Sequence, residues 1–180
     1  LKNLDKFVLG GGSNVLFVDD FDGLIIQMDM KGKNVVEENA DSILLKIGAG
    51  ENWHELVMYC VEKGWGGIEN LSLIPGSVGA APIQNIGAYG VELEEVFEEL
   101  TAVQVETGEE RIFSKAECAF GYRDSIFKNK EKGNYIITHL TLRLQKSPSV
   151  NTSYRALSEK LAEEGITNPG IQDISKAVIE

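Results

Sequence analysis

The chain has 180 residues, 43% of them hydrophobic and 25% charged, a composition that suits one medium domain or two small units sharing a core. Its formal net charge of −11 argues against a general nucleic-acid or anionic-membrane surface. An anionic ligand would have to be held by a local cradle of backbone N–H groups, because the long-range field opposes it. No apolar run is long enough to cross a bilayer and there is no signal-peptide pattern. The two cysteines, Cys60 and Cys118, form no CxxC and read as reduced thiols of a cytosolic protein.

In chain order, Phe7–Leu9 and Val15–Val18 read as short strands around the turn GGGSN, and DDFDG as a turn before a further strand, LIIQM. Asn34–Glu38 and Ile43–Ile47 suit a hairpin across ENADS, after which GAG breaks the pattern. Asn52–Lys63 is the clearest helix. Asn52 and Glu55 suit a capping box, Trp53, Leu56, Val57, Cys60 and Val61 follow helical spacing, and Gly64 supplies the stop. A long segment of small residues follows, GWGGIENLSLIPGSVGAAPIQNIGAYGVE. Val96–Glu106, Glu110–Phe113 and Tyr135–Gln145 read as strands, Ser153–Glu164 as an amphipathic helix stopped by Gly165, and Asp173 onward as another. The acidic run ELEEVFEEL reads as a solvated face. The chain opens on LKNLDKFVLG without an initiator Met and closes inside a helical pattern, so a piece of a longer polypeptide is expected.

Two stretches carry chemistry. Gly10, Gly11 and Gly12 are followed by Ser13, Asn14 and a β-rich run, which argues against the dinucleotide fingerprint that enters a helix. Two readings stand side by side: a nest of N–H groups approached by a pyrophosphate with no Cβ in the way, and a glycine-rich hairpin without a ligand. In IPGSVGAAPIQNIGAYG, Gly76, Gly79, Gly87 and Gly90 alternate with alanines, and polar side chains are few: Ser77, Gln84, Asn85 and Tyr89. This suits a wall against a flat, bulky ligand, or equally a tightly packed crossover. The only histidines, His54 and His139, have no metal-ligand spacing, and no metal site is expected. Ser125 has no paired base and is not read as a nucleophile.

LGGGSNVLF, GAGENWHELV, ENLSLIPGSVGAAPIQNIGAYGVEL and FGYRDSIFK, in that order, resemble the UDP-N-acetylenolpyruvoylglucosamine reductases, flavoenzymes of peptidoglycan synthesis. NTSYRAL resembles more loosely the form of that family with a tyrosine-bearing loop over the substrate. The resemblance implies an α+β chain with the FAD-binding fold of the vanillyl-alcohol oxidase (PCMH) type, two packed α/β subdomains, and a C-terminal substrate domain missing from this chain. The implied division is the remainder of a first subdomain over 1–30, a second over 31–150, and a helical segment with the loop tyrosine over 151–180. It implies that Gly10, Gly11, Gly12, Ser13 and Asn14 cradle the FAD pyrophosphate. Ile74, Pro75, Gly76, Gly79, Ala80, Ala81, Ile83 and Gly87 would line the flavin, with Ile137 as a further contact. Arg123 matches the catalytic arginine, with Tyr122 and Asp124 holding its guanidinium, and Tyr89, Gln84 and Tyr154 are implied at the substrate.

The implied reaction uses NADPH as hydride donor to FAD and converts UDP-N-acetylglucosamine enolpyruvate to UDP-N-acetylmuramate. The implied protein is cytoplasmic and monomeric, with no nucleic-acid or membrane partner. The family's serine proton donor and assisting glutamate lie in GSFFKNP-like and PEV-like motifs, and neither occurs here. The isolated chain is therefore expected to be inactive. A non-catalytic flavin-binding module, and a different oxidase of the same fold that tethers FAD through His or Cys, remain as competing readings.

Overall fold

A computed structural model of the chain describes residues 4–180; Leu1 to Asn3, with which the expected first subdomain begins, lie outside the described residues. β1 (Asp5–Leu9) pairs in parallel with β2 (Gly23–Gln27), Phe7 opposite Ile25. Residues 10–22 are the crossover between them, so the expected strand over Val15–Val18 does not form. Leu16 and Val18 point into solvent at 85% and 91% exposure. Phe17 is held by its ring, which stacks edge-on against Phe7 at 5.7 Å. A short apolar run satisfies the strand pattern equally well when a single aromatic anchors it.

β3 (Lys33–Glu38) and β4 (Ser42–Gly48) form the expected hairpin. Asn39 Oδ1 accepts the N–H groups of Asp41 and Ser42, the local bond that makes Asn a turn former. Together with β7 (Phe97–Gln104), β8 (Glu110–Ser114) and β9 (Tyr135–Gln145) they make an antiparallel sheet in the order β3-β4-β9-β7-β8. Alternate residues of the central strands face one core: Ile43, Leu45 and Ile47 from β4, Leu140, Leu142 and Leu144 from β9, Leu100 and Ala102 from β7. Full burial of each large aliphatic side chain contributes about 1.5–3 kcal/mol.

Helix α1 (Trp53–Lys63) covers that core with Trp53, Leu56, Val57, Cys60 and Val61. Asn52 Oδ1 accepts the Glu55 N–H at 3.0 Å, and Gly64 ends the helix in the left-handed conformation. The break at GAG has a steric cause. The 29–31 linker crosses Gly48 and Gly50 backbone on backbone, and a Cβ on Gly48 would fall 2.4 Å from the Met30 carbonyl oxygen.

The small-residue segment is more regular than its composition suggests. It holds 3-10 turns at Glu69–Leu71 and Val78–Gln84, then a hairpin of β5 (Gly87–Ala88) and β6 (Val91–Glu92), and a further 3-10 turn at Leu93–Glu95 follows it. Tyr89 and Gly90 form the hairpin bend with φ of 47° and 81°, the left-handed pair that a two-residue hairpin requires. After β8 comes the single turn α2 (Lys115–Cys118). α3 (Arg155–Glu163) and α4 (Ile171–Ile179) bury Leu157, Leu161, Ile174 and Val178 between them. α4 docks on α1 and the 69–71 turn, where Ser175 Oγ meets Ser72 Oγ at 2.8 Å. Among the described residues no helix is long and apolar enough to cross a membrane.

Candidate functional site

The crossover after β1 and the segment from Ile74 to Ile86 face each other across a cavity of about 250 Å³. Gly10, Gly11, Gly12, Ser13 and Asn14 line one side; Ile74, Pro75, Gly76, Ala80, Ala81, Ile83 and Gln84 line the other. Eleven implied cofactor residues and Gln84 thus share one cavity, and none of its lining residues is charged. The N–H groups of Gly11, Gly12, Ser13 and Asn14 have no acceptor among the described residues. Gly12 needs glycine for its φ of 72°. Gly11 does not: its φ lies outside the left-handed range, and a Cβ there would meet no atom within 4 Å. Neither conformation nor packing within the protein accounts for a glycine at that position.

Ser77, Trp53, Ile86, Val8, Leu9 and Val15 complete the lining and were not among the implied cofactor residues. Ser77 is 8% exposed, and its Oγ has no hydrogen-bond partner among the described residues. It would lie 2.5 Å from a Cβ on Gly10, so glycine there lets the two walls approach. Trp53 reads as core from its helical spacing, and its indole N–H does bond inward to the Leu71 carbonyl at 2.9 Å.

Gly79, Gly87 and Ile137 do not line this cavity. Gly79 packs on Ala49, where a Cβ would fall 2.6 Å from the Ala49 Cβ. Ile137 is buried in the sheet core. Gly87 turns its carbonyl to Arg123 Nη2.

Arg123 sits at the tip of a tight turn closed by the Gly121–Asp124 bridge, with φ of 54°. Its Nη1 reaches Glu92 Oε1 at 3.3 Å and the Asn85 carbonyl at 3.5 Å. The guanidinium thus rests on residues that flank Gln84 and Ile86 of the cavity wall, and its Nε–H has no acceptor among the described residues. Tyr122 stacks its ring 5.1 Å from the guanidinium carbon. Asp124 does not hold the arginine. Its Oδ1 takes the Ser125 N–H and the Asn129 amide, because the left-handed residue before it turns the two side chains apart. The ion pair belongs to Glu92 instead, within the run expected as a solvated face. Glu98 of the same run makes a two-pronged bond to Arg143, and Glu95 caps the Glu92 N–H.

Tyr89 and Tyr154 stand edge to face at 5.3 Å. Asn70, 1% exposed, donates to both the Tyr89 and Asn151 carbonyls and so ties the two loops. Elsewhere, His54 Nδ1 accepts the Leu73 N–H, and His139 is held below its ordinary pKa by burial and by Lys46. Ser125 donates to the Ile83 carbonyl at 2.7 Å and no base faces it in that bond. Neither histidine nor cysteine lines the cavity, and the described residues hold no cluster of three metal-ligating side chains.

The model of the FAD binding domain family matches residues 2–114. The UDP-N-acetylenolpyruvoylglucosamine reductase of Amoebophilus asiaticus is 58% identical over 99% of this chain and 53% of its own. This chain therefore spans about half the length of the curated relatives it matches. Among solved structures, the UDP-N-acetylenolpyruvylglucosamine reductase of Thermus caldophilus superposes with a TM-score of 0.66 over 98% of this chain and 55% of that one, at 24% identity. Cholesterol oxidase of Brevibacterium sterolicum superposes at 0.52 with 14% identity, over 79% of this chain and 30% of that one, so the fold is common to both. The mixed α/β architecture is thus the expected PCMH-type one. With the family model matching more than half of its length, this chain belongs to the FAD binding domain family.

Proposed function

We propose that this chain is the FAD-holding part of an NADPH-dependent reductase that acts on UDP-N-acetylglucosamine enolpyruvate and forms UDP-N-acetylmuramate for peptidoglycan synthesis. The observation that carries the reading is the row of four free N–H groups on Gly11 to Asn14, set along a cavity whose lining has no charge. A diphosphate fits such a row: neutral amides hold an anion by direction and proximity, inside a molecule whose net charge of −11 repels one at long range. Ser13, Asn14 and Ser77 add neutral donors, and Ile74, Pro75, Ala80, Ala81, Ile83 and Ile86 form an apolar wall for a flat ring.

The chemistry that bound FAD would supply here is hydride transfer from NADPH to the enolpyruvyl double bond. This chain's own residues do the rest of what can be assigned. Hydride addition next to a carboxylate builds enolate charge, and the unengaged N–H donors of Arg123 suit both groups as a planar fork. Tyr89 and Tyr154 bound the substrate side, and Asn70 keeps their loops together. No residue here is assigned to protonate carbon. The setting is the cytoplasm, and the protein works as a monomer.

Gly11→Val in the native polypeptide that contains this chain tests the reading. The new side chain meets no protein atom within 4 Å at its Cβ, so the fold stays while a diphosphate is excluded. The expected result is colourless protein whose unfolding midpoint matches that of the flavin-stripped native protein. Wild-type flavin content in that variant overturns the cradle.

A further inference from the structure

Arg123 has two requirements that its own backbone does not meet. Its side chain is 38% exposed, so water competes for the guanidinium, and that long side chain must give up rotamer freedom to stay aimed. The surroundings supply the restraint. Glu92 Oε1 takes Arg123 Nη1, while Glu92 Oε2 takes Asn85 Nδ2 at 2.9 Å. Asn85 is fully buried, with φ of 43°. It also donates to the Gly121 carbonyl at 3.2 Å, at the base of the Arg123 turn, and accepts the Glu94 N–H at 3.0 Å. Every polar atom of the Asn85 side chain is thus engaged. Glu92 has both carboxylate oxygens and its N–H committed, the last to Glu95. Lys128 Nζ closes the assembly on the Arg123 carbonyl at 2.9 Å.

We infer that Glu92, braced by Asn85, is a positioning residue for Arg123: it fixes the rear of the guanidinium so that the Nε side stays turned toward the substrate's carboxylate. The inference rests on the substrate-facing role proposed above for Arg123. An ion pair this exposed adds little stability. Its effect is geometric, because a flexible cation becomes a preorganised one and the free donors do not have to be reoriented as charge develops. A carboxylate behind the guanidinium also keeps a second anion from taking the rear edge, which leaves the front edge for substrate.

The test is a double-mutant cycle in the native polypeptide, with flavin content and unfolding midpoint measured alongside. Glu92→Ala is expected to lower kcat by ~10- to 100-fold with KM for NADPH unchanged. Glu92→Asp recovers part of the loss. In an Arg123→Ala background the same Glu92→Ala change costs less than about twofold more, because nothing is left to position. Glu92→Gln keeps the side chain's size and decides the matter if the alanine variant loses flavin. Independent, multiplying effects of the two positions overturn the inference. So does native kcat in Glu92→Ala when Arg123→Ala is dead, and in that case the role of Arg123 stands. Native turnover in Arg123→Ala instead removes the role of Arg123 and this inference with it.

Discussion

Glu51 is 8% exposed, yet it takes the Gly32 N–H at 2.7 Å and Lys33 Nζ at 3.0 Å. Burial pushes its pKa up, but the Gly32 N–H and the Lys33 and Lys31 ammonium groups outweigh burial and hold it below 4.5. A carboxylate depressed in the folded state stabilises at neutral pH, and that contribution fades as pH falls below 4.5 through the folded value. Glu51→Ala leaves a buried N–H and an ammonium without partners and is expected to cost about 1–3 kcal/mol at neutral pH in urea unfolding. The deficit relative to the native protein should shrink as the solution is acidified. Gly11 shows a different use of a single position. The glycine carries no local strain, and its reason is the free space beside it.

At the level of elements, Gly48 and Gly50 let the 29–31 linker lie against β4. Gly48→Ala drives a methyl into the Met30 carbonyl and is expected to destabilise by about 1–3 kcal/mol or more, read as a lowered thermal midpoint. Gly11→Val, with open space at its Cβ, should leave the midpoint of the flavin-stripped protein alone. The strands and α1 were legible because their apolar residues keep a period against one core, as Ile43, Leu45 and Ile47 do. The glycine turn was legible only as a pair of alternatives, a nest of N–H groups or a hairpin without a ligand, because composition alone suits both. Val15–Val18 misled, since four apolar residues read as a strand whether or not a partner edge accepts them. Glu92 was invisible for another reason. It belongs to an acidic run that reads as a solvated face, and its partner lies 31 residues away, a separation no local pattern reports. The 3-10 turns between Glu69 and Glu95 carry too few residues to show a period.

For the molecule as a whole, the sheet has edges at β3 and β8, and β3 presents Glu37 and Glu38 beside a bulge at Val35. Charges and a bulge on an edge discourage pairing with another chain. Both thiols are fully buried, and burial pushes Cys60 and Cys118 up to about 12. A thiol reagent added to the native protein is expected to modify neither, and to find two equivalents only after denaturation. Early modification at native pH would mean that the core opens locally, and it would reveal which side of the sheet does so.

The buried amide of Asn70 spans 81 residues of sequence to reach the Asn151 carbonyl while also holding that of Tyr89. Asn151 Nδ2 also donates to the Gly90 carbonyl at 3.0 Å, and two loops fastened in this way cannot swing separately. If Tyr154 lifts away, the bend that carries Tyr89 follows or these bonds break, and Gly87, two residues before Tyr89, has its carbonyl on Arg123. Asn70→Ala should therefore quicken amide hydrogen exchange in both loops at once, with β4 and β9 unaffected. The aromatic pair and the arginine would then be parts of one hinge plate.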